Sequence, residues 1–128
     1  MAVTHATALR SVLADAVDNY LNTTGSADAS ADLVIRASTT ILVTFVLANP
    51  AFGAAASGVI TLAGVPISAT AGATGTADNF IIRDRDNASA VLGSVTATGG
   101  GGDITVSNTS ITNGQSCSLD SLTYTAPA

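Results

Sequence analysis

The strongest constraint in this sequence is a change of hydrophobic period after about residue 32. From there on, short runs rich in β-branched or aromatic residues alternate with clusters of Gly, Pro, Asn, Asp and Ser. Such spacing is typical of antiparallel strands rather than of alternating strands and helices. The runs cover residues 33–37, 41–47, 59–62, 65–68, 79–83, 91–96, 104–107 and 117–125. We therefore predict a mainly β protein, an antiparallel β-sandwich or jelly-roll-like domain over residues 33–128.

The segment before these strands has a helical period instead. Its apolar side chains recur at steps of three and four residues, which predicts one amphipathic helix over about residues 7–22. The predicted apolar stripe contains Leu9, Val12, Leu13, Ala16, Val17, Tyr20 and Leu21. Thr4 or Thr7 is suited to cap the start of the helix, and Gly25 is suited to end it. Residues 25–32 are small and polar, so we expect a mobile connection within a single domain spanning 1–128.

Residues 41–47 differ from the other predicted strands because they are apolar in both alternating phases. A run of this kind indicates the most buried strand, or one covered by the helix or by a neighbouring subunit. A domain of this size has few elements with which to cover both sides, so we expect a homo-oligomer, a dimer or trimer. The candidate assembly and packing residues are Leu9, Val12, Leu13, Val17, Ile41, Val43 and Phe45.

The charged residues limit the partners and the chemistry of the chain. Four Arg and no Lys stand against nine Asp and no Glu, which gives a net charge of -5. Nucleic acids and anionic membranes are bound through basic residues, so we expect neither as a partner. One His and one Cys are too few for an all-His/Cys zinc site, and no Lys is present for a phosphate loop or a Schiff base. We predict no enzymatic activity, no cofactor and no metal.

Two loops carry weak signals for ion binding. Asp84-Arg85-Asp86-Asn87 begins like a calcium loop, but Ser89 and Val95 stand where that loop needs Gly and Glu. We therefore predict a polar hairpin turn there. The glycines 99–102 are followed by Asp103 and a predicted strand rather than by a helix. A flexible hairpin tip is thus favoured over a phosphate cradle.

Two single residues and one strand need separate expectations. His5 lies at the start of the helix and no G-x-S-x-G elbow accompanies it, so a hydrolase triad is disfavoured. Cys117 alternates with Leu119 and is expected on a buried face rather than as a nucleophile. The apolar phase changes between Leu119 and Leu122. Either a bulge near residues 120–121 or a strand that passes from one sheet to another explains this change.

Several segments spread over most of the chain carry a family resemblance. They are residues 8–18 (ALRSVLADAVD), 50–58 (PAFGAAASG), 75–77 (GTA), 80–84 (FIIRD), 93–95 (GSV), 102–104 (GDI), 108–111 (NTSI), 114–115 (GQ) and 122–128 (LTYTAPA). Together they resemble small virion proteins of tailed bacteriophages. The shared elements are structural, none is catalytic, and residues 25–47 depart most from the pattern.

Within this group the chain is most similar to capsid decoration, or cement, proteins. The resemblance implies a β-sandwich that binds the outside of the head shell, braces it, and is made in the bacterial host cytoplasm. Its implied partners are the major capsid protein or other virion subunits. The low number of charged residues is compatible with apolar surfaces that become buried on assembly. A tail or head-tail structural component stays open, as does a carbohydrate-binding β-sandwich of a receptor-binding tip, which the absence of Trp makes less favourable.

Overall fold

A computed structural model describes residues 4–97, 99–101, 104–106, 108–119 and 122–126. It confirms a mainly β protein with one N-terminal helix and antiparallel sheets, one parallel strand pair excepted. The elements are α1 (Thr7–Thr23), β1 (Asp32–Ala37), β2 (Thr40–Val46), β3 (Val59–Thr61), β4 (Ile67–Thr70), β5 (Gly75–Thr76), β6 (Asn79–Arg83), β7 (Ser89–Ala97), β8 (Ile104–Val106), β9 (Ser110–Ile111), β10 (Ser116–Leu119) and β11 (Thr123–Thr125).

Five strands form the largest sheet, in the order β2-β1-β6-β7-β8. The inner strand β1 pairs antiparallel with β2 and with β6. Leu33 and Ile35 of β1 point into the hydrophobic core, whereas Val34 is buried on the other face, between Thr44 and Ile81. The prediction that residues 41–47 form the most buried strand is therefore wrong, because β2 is the outermost strand of this sheet and β1, which has a neighbour on both sides, is more fully buried.

A register shift explains why β2 nevertheless reads as apolar in both phases. The β1–β2 ladder shifts between Ile35 and Arg36, and the extra residue on β2 leaves Leu42 and Val43 both buried. Phe45 is also buried in the core, while Ile41 and Val46 are exposed. Most of this strand is thus covered within one chain. The predicted oligomer stays a prediction, and the apolar pattern of this strand no longer requires it.

Three two-stranded ladders, β10–β4, β11–β3 and β5–β9, complete the strands. Their inward side chains, including Ile60, Ile111 and Leu119, join those of the five-stranded sheet in one core. The predicted strand 117–125 divides into β10, which pairs with β4, and β11, which pairs with β3. Passage from one ladder to another therefore accounts for the change of phase, and residues 120–121, where a bulge was the alternative, lie outside the described residues. The sequence did not predict β5 and β9, which have only two residues each.

The strands on either side of the glycine run do not form the expected hairpin. Residues 95–97 of β7 pair with residues 104–106 of β8 in parallel. The predicted hairpin tip at 99–102 is therefore wrong, since a hairpin joins antiparallel strands. Gly102 and Asp103, which belong to that prediction, lie outside the described residues.

Both ends of α1 depend on backbone conformation. Ala6, and neither Thr4 nor Thr7, occupies the N-cap position, and no side chain bonds there. The predicted threonine cap is thus wrong. At the other end Thr24 donates its backbone N–H to the carbonyl of Tyr20, and Gly25 follows with φ of 97°. This left-handed conformation favours glycine and ends the helix where the sequence predicts.

Candidate assembly surface

One side of α1 is polar, and it faces the body of the protein. We call the residues Ser11, Asp15, Asp18 and Asn22 the polar stripe, because steps of four, three and four residues place them on one side of a helix. Each accepts a hydrogen bond from the backbone of the loop 51–58. The pairs are Asn22 Oδ1 with Ala51 N (2.9 Å), Asp18 Oδ1 with Phe52 N (3.0 Å), Asp15 Oδ1 with Ala55 N (2.9 Å) and Ser11 Oγ with Gly58 N (3.1 Å).

The polar stripe supplies acceptors that this loop needs. Ala51, Phe52 and Gly58 are buried, and a buried N–H group without an acceptor costs about 1–3 kcal/mol. Asp18 also accepts a bond from the side chain of Asn22 at 3.0 Å, so the two residues are positioned together. This role is not among those predicted from the sequence, although the 4-3-4 spacing of four acceptors on one predicted helix was a usable signal.

The opposite side of α1 is apolar and faces solvent. We call Leu9, Val12, Ala16 and Tyr20 the outer stripe, and Leu9, Val12 and Tyr20 are 46%, 63% and 50% exposed. The apolar stripe predicted from the sequence is therefore divided, and these residues lie on its solvent-facing part. The body-facing apolar residues are the buried Ala14 and Leu21, with Leu13 and Val17 partly buried beside them.

An open apolar groove of about 330 Å³ separates the outer stripe from strand β7. Its lining residues are Ala16, Val17, Tyr20 and Leu21 of the helix and Ser89, Ala90 and Val91 of β7. These residues carry no charged side chain, and the phenol of Tyr20 is the largest polar group among them. The groove thus continues the apolar outer stripe up to the start of β7.

The outer face of the five-stranded sheet carries a second set of exposed apolar side chains. Leu92 of β7 is 65% exposed and Val46 of β2 is 66% exposed. Between them an ion pair joins Arg83 Nε to Asp32 Oδ1 at 2.7 Å. The hydrogen bond to Asp32 raises the pKa of Arg83, which keeps the guanidinium charged. This face is therefore mixed, in contrast to the uncharged outer stripe.

The turn between β6 and β7 has a structural role. Asp84 is buried, and its Oδ1 accepts bonds from the N–H groups of Asp86 and Ala88 at 2.9 and 3.0 Å. Asn87 has φ of 65°, as a tight turn requires. This is the polar hairpin turn that the sequence predicts. The contact with Asp86, two residues on, is typical of an Asx turn, and the contact with Ala88 joins the same carboxylate to the far end of the loop.

The same turn fixes the connection that follows the helix. Asp86 Oδ1 accepts bonds from Ser26 N at 2.9 Å and from Ala27 N at 3.0 Å. These two bonds lower the pKa of Asp86 below its ordinary value of 3.8. Arg85 adds bonds to the backbone of Thr24 and of Asp28. The expected mobile connection is thus tied to the hairpin along its first half.

His5 and Cys117, the two residues weighed as catalytic candidates from the sequence, lie in different parts of the structure. His5 is partly buried just before α1, and Cys117 is partly buried in β10, where burial raises the pKa of its thiol. Among the described residues, no three His, Cys or Asp side chains are placed to hold one metal ion. Over the same part of the chain, no helix is both long and apolar enough to cross a membrane.

The seven candidate assembly and packing residues divide into two groups. Val43 and Phe45 lie in the core, with Leu13 and Val17 packed against it. Leu9, Val12 and Ile41 are exposed. Only Leu9 and Val12 are brought together on one surface. Comparison with protein-family models, curated proteins and solved structures found no match to this chain.

Proposed function

We propose that this protein is a non-catalytic structural subunit of a bacteriophage virion, a capsid decoration protein that attaches to the head shell through the outer stripe of α1. The observation that carries the proposal is the orientation of the helix. An amphipathic surface helix ordinarily turns its apolar side to the core and its polar side to water. Here the polar stripe is bonded to the body and an apolar stripe is left exposed, which fits a helix that is covered on assembly.

Charge supports the same assignment. The three charged residues of α1 are Arg10, Asp15 and Asp18, and each contacts the body. Arg10 donates to the carbonyl of Ala126 at 3.5 Å, and the two aspartates bind the loop 51–58. The outer stripe is therefore uncharged and includes an exposed tyrosine. The centres of protein interfaces are depleted in charge and enriched in aromatic residues in the same way.

The finer fold that suits this role is a two-layer sandwich. The five-stranded sheet would be one layer, and the β10–β4, β11–β3 and β5–β9 ladders would together make the other. Side chains from both sets share one core, as facing layers do. On this view α1 lies at one end of the sandwich beside β3, where its outer stripe is free to meet a shell of major capsid protein.

Immunogold labelling of the virion tests the location. Antibody against this chain should mark the head surface of particles from the phage that encodes it. Gold on the tail or at the head-tail joint would overturn the decoration role and support the alternative structural component. Gold at a fibre tip, together with binding of the purified protein to host glycan, would support the carbohydrate-binding alternative instead.

Rebinding to stripped heads tests the surface. Val12→Lys should weaken cosedimentation with heads by about tenfold or more, because it places a charge in the centre of the proposed contact. Val46→Lys is the matched control, since this valine has nearly the same exposure on a different face. Loss of binding in Val46→Lys with retention in Val12→Lys would contradict attachment through the outer stripe.

A further inference from the structure

Asn113 and Gly114 form the one Asn-Gly step in the sequence, and they lie in the turn between β9 and β10. Gln115 N–H donates to the carbonyl of Thr112 at 2.9 Å, which closes a four-residue β-turn. Gly114 has φ of 87° and follows a residue of negative φ, as in a type II turn. Both central residues are exposed, so water has access to the asparagine side chain.

An Asn-Gly step carries the groups for a covalent change that needs no enzyme. The backbone nitrogen of Gly114 attacks Cγ of Asn113, the Cγ–Nδ2 bond breaks, and ammonia leaves with the proton from the Gly114 N–H. Water then opens the cyclic imide at one of its two carbonyl carbons, which leaves aspartate or isoaspartate. Glycine hinders the attack least, since no Cβ shields its nitrogen. The space beside Gly114 is open as well, because an added Cβ would meet nothing within 4 Å.

The fold holds both reacting groups away from this reaction. Gly114 N–H donates to the carbonyl of the buried Ala71 at 2.8 Å, so the attacking nitrogen must first leave a hydrogen bond. Asn113 N–H donates to Thr74 Oγ1 at 2.9 Å, which fixes the residue that carries the target carbon. In a type II turn ψ of the second residue is about 120°, which turns the next nitrogen away from the side chain. Ring closure therefore requires the turn to open.

The product of the reaction does not fit the same contacts. Ala71 accepts from Gly114 N–H and donates its own N–H to the carbonyl of Gln115 at 2.8 Å. Isoaspartate at position 113 runs the backbone through the side chain and lengthens it by one carbon atom. The two bonds to Ala71 then no longer form together, so conversion to isoaspartate releases the turn from the loop 71–74.

We propose that Asn113-Gly114 is a latent deamidation site, which the bonds to Ala71 and Thr74 keep unreacted in the folded chain. It reacts in a chain that is unfolded or open at this turn. The isoaspartate and the added negative charge then mark chains that have spent time unfolded. This proposal does not depend on attachment to a virion.

Mass spectrometry of aged protein tests the restraint. The full chain is kept at mildly alkaline pH, once in native buffer and once in guanidinium chloride, and its peptides are examined for replacement of an amide by an acid. Asn113 should convert before every other asparagine in denaturant. In native buffer it should convert at least about tenfold more slowly, because reaction then requires local opening. Equal rates in the two solutions, or earlier conversion of another asparagine in denaturant, would overturn the proposal.

A threonine substitution tests which contact restrains the site. Thr74→Ala removes the acceptor of Asn113 N–H at an exposed position. It should speed conversion in native buffer by about two- to tenfold, the effect of one lost hydrogen bond. Thr76→Ala is the matched control, since Thr76 is exposed too and pairs with Ser110 instead. A rate in Thr74→Ala no higher than that in Thr76→Ala would contradict the restraint.

Hydrogen exchange on the modified chain tests the consequence. Asn113→Asp adds the same charge as isoaspartate but keeps the normal backbone. After isolation and return to native buffer, the isoaspartyl form should exchange the amide protons of Gly114 and Ala71 at least about tenfold faster than Asn113→Asp does. Equal exchange in the two forms would show that the longer backbone is accommodated, against the proposal.

Discussion

The two sides of α1 show what decides the orientation of this helix. Tyr20 and Leu21 are neighbours in sequence, yet Tyr20 faces solvent and Leu21 is completely buried. Both sides of the helix carry enough apolar residues to pack on a core. Only one side carries acceptors for the loop 51–58, and that side lies against the loop. The hydrogen-bonding needs of a distant loop therefore select between two apolar sides of the helix.

The free energies of apolar burial and of hydrogen bonding are consistent with this orientation of the helix. Burying a Leu, Val or Tyr side chain gains about 1.5–3 kcal/mol, so leaving Leu9, Val12 and Tyr20 roughly half exposed forfeits about half of that for each. The turned helix satisfies four loop N–H groups, three of them on buried residues. Each buried group left without an acceptor costs about 1–3 kcal/mol. The two amounts are comparable, and Leu21 and Ala14 add burial on the chosen side.

The largest expected effect comes from truncating neighbours on opposite sides of the helix. Leu21→Ala should lower the free energy of unfolding by about 2–5 kcal/mol, because it leaves a cavity in the core. Tyr20→Ala should lower it by less than about 1 kcal/mol. Urea denaturation of the two variants measures the difference. Similar losses in both would mean that the outer stripe is packed in the free protein.

A smaller effect is expected from the polar stripe. Asp18→Ala leaves the N–H of Phe52 without its acceptor, so the free energy of unfolding should fall by about 1–3 kcal/mol. The loss of a carboxylate from the second half of a helix offsets a few tenths of that, on the order of 0.3 kcal/mol. Asp15→Ala, whose partner Ala55 is less buried, is the matched control and should lose less. If Asp18→Ala is neutral, the loop does not select the orientation.

A pH titration tests the contacts that hold the connection after the helix. The pKa of Asp86 is lower in the folded chain than its ordinary value of 3.8, because Ser26 and Ala27 donate to it. Its contribution to stability is therefore fully present above about pH 4 and is lost as the pH falls through the folded-state value. Asp86→Asn should flatten the acid side of the stability curve.

Asp28→Asn is the control for this titration. The hydrogen bonds of Asp28 are made by its backbone, as donor to Arg85 O and acceptor from Arg85 Nε, and its carboxylate acts on Arg83 through charge alone. Asp28→Asn should therefore flatten the acid side of the stability curve less than Asp86→Asn does. An unchanged acid limb in Asp86→Asn would show that the two bonds to Ser26 and Ala27 contribute nothing measurable.

The smallest expected effect on folding is at the centre of the outer stripe. Val12→Lys should change the free energy of unfolding by no more than about 0.5 kcal/mol, because the side chain is exposed and lysine is a good helix former.

Attachment of the unmodified protein to heads should change little between about 0.05 and 0.5 M salt, since an apolar contact is not screened. Release by salt would favour binding through aspartates instead.

Local features of the sequence were sufficient for the element types. The helix period up to residue 22, the strand runs and the polar turn at Asp84–Asn87 correspond to α1, to most strands and to the β6–β7 hairpin. Period and turn chemistry are properties of a few neighbouring residues, so they can be read directly. Strands of two residues, β5 and β9, have no period to detect. The split between β10 and β11 was visible only as a change of apolar phase.

The sequence by itself determined that this chain is acidic and mainly β, and that its strands follow a helix whose apolar residues spread over more than one side. Only the tertiary structure decided which side of the helix faces inward and that β1, rather than β2, lies between two other strands of its sheet. The reason is sequence separation. The bonds that hold the polar stripe join residues 29 to 47 positions apart, and no local pattern specifies such partners.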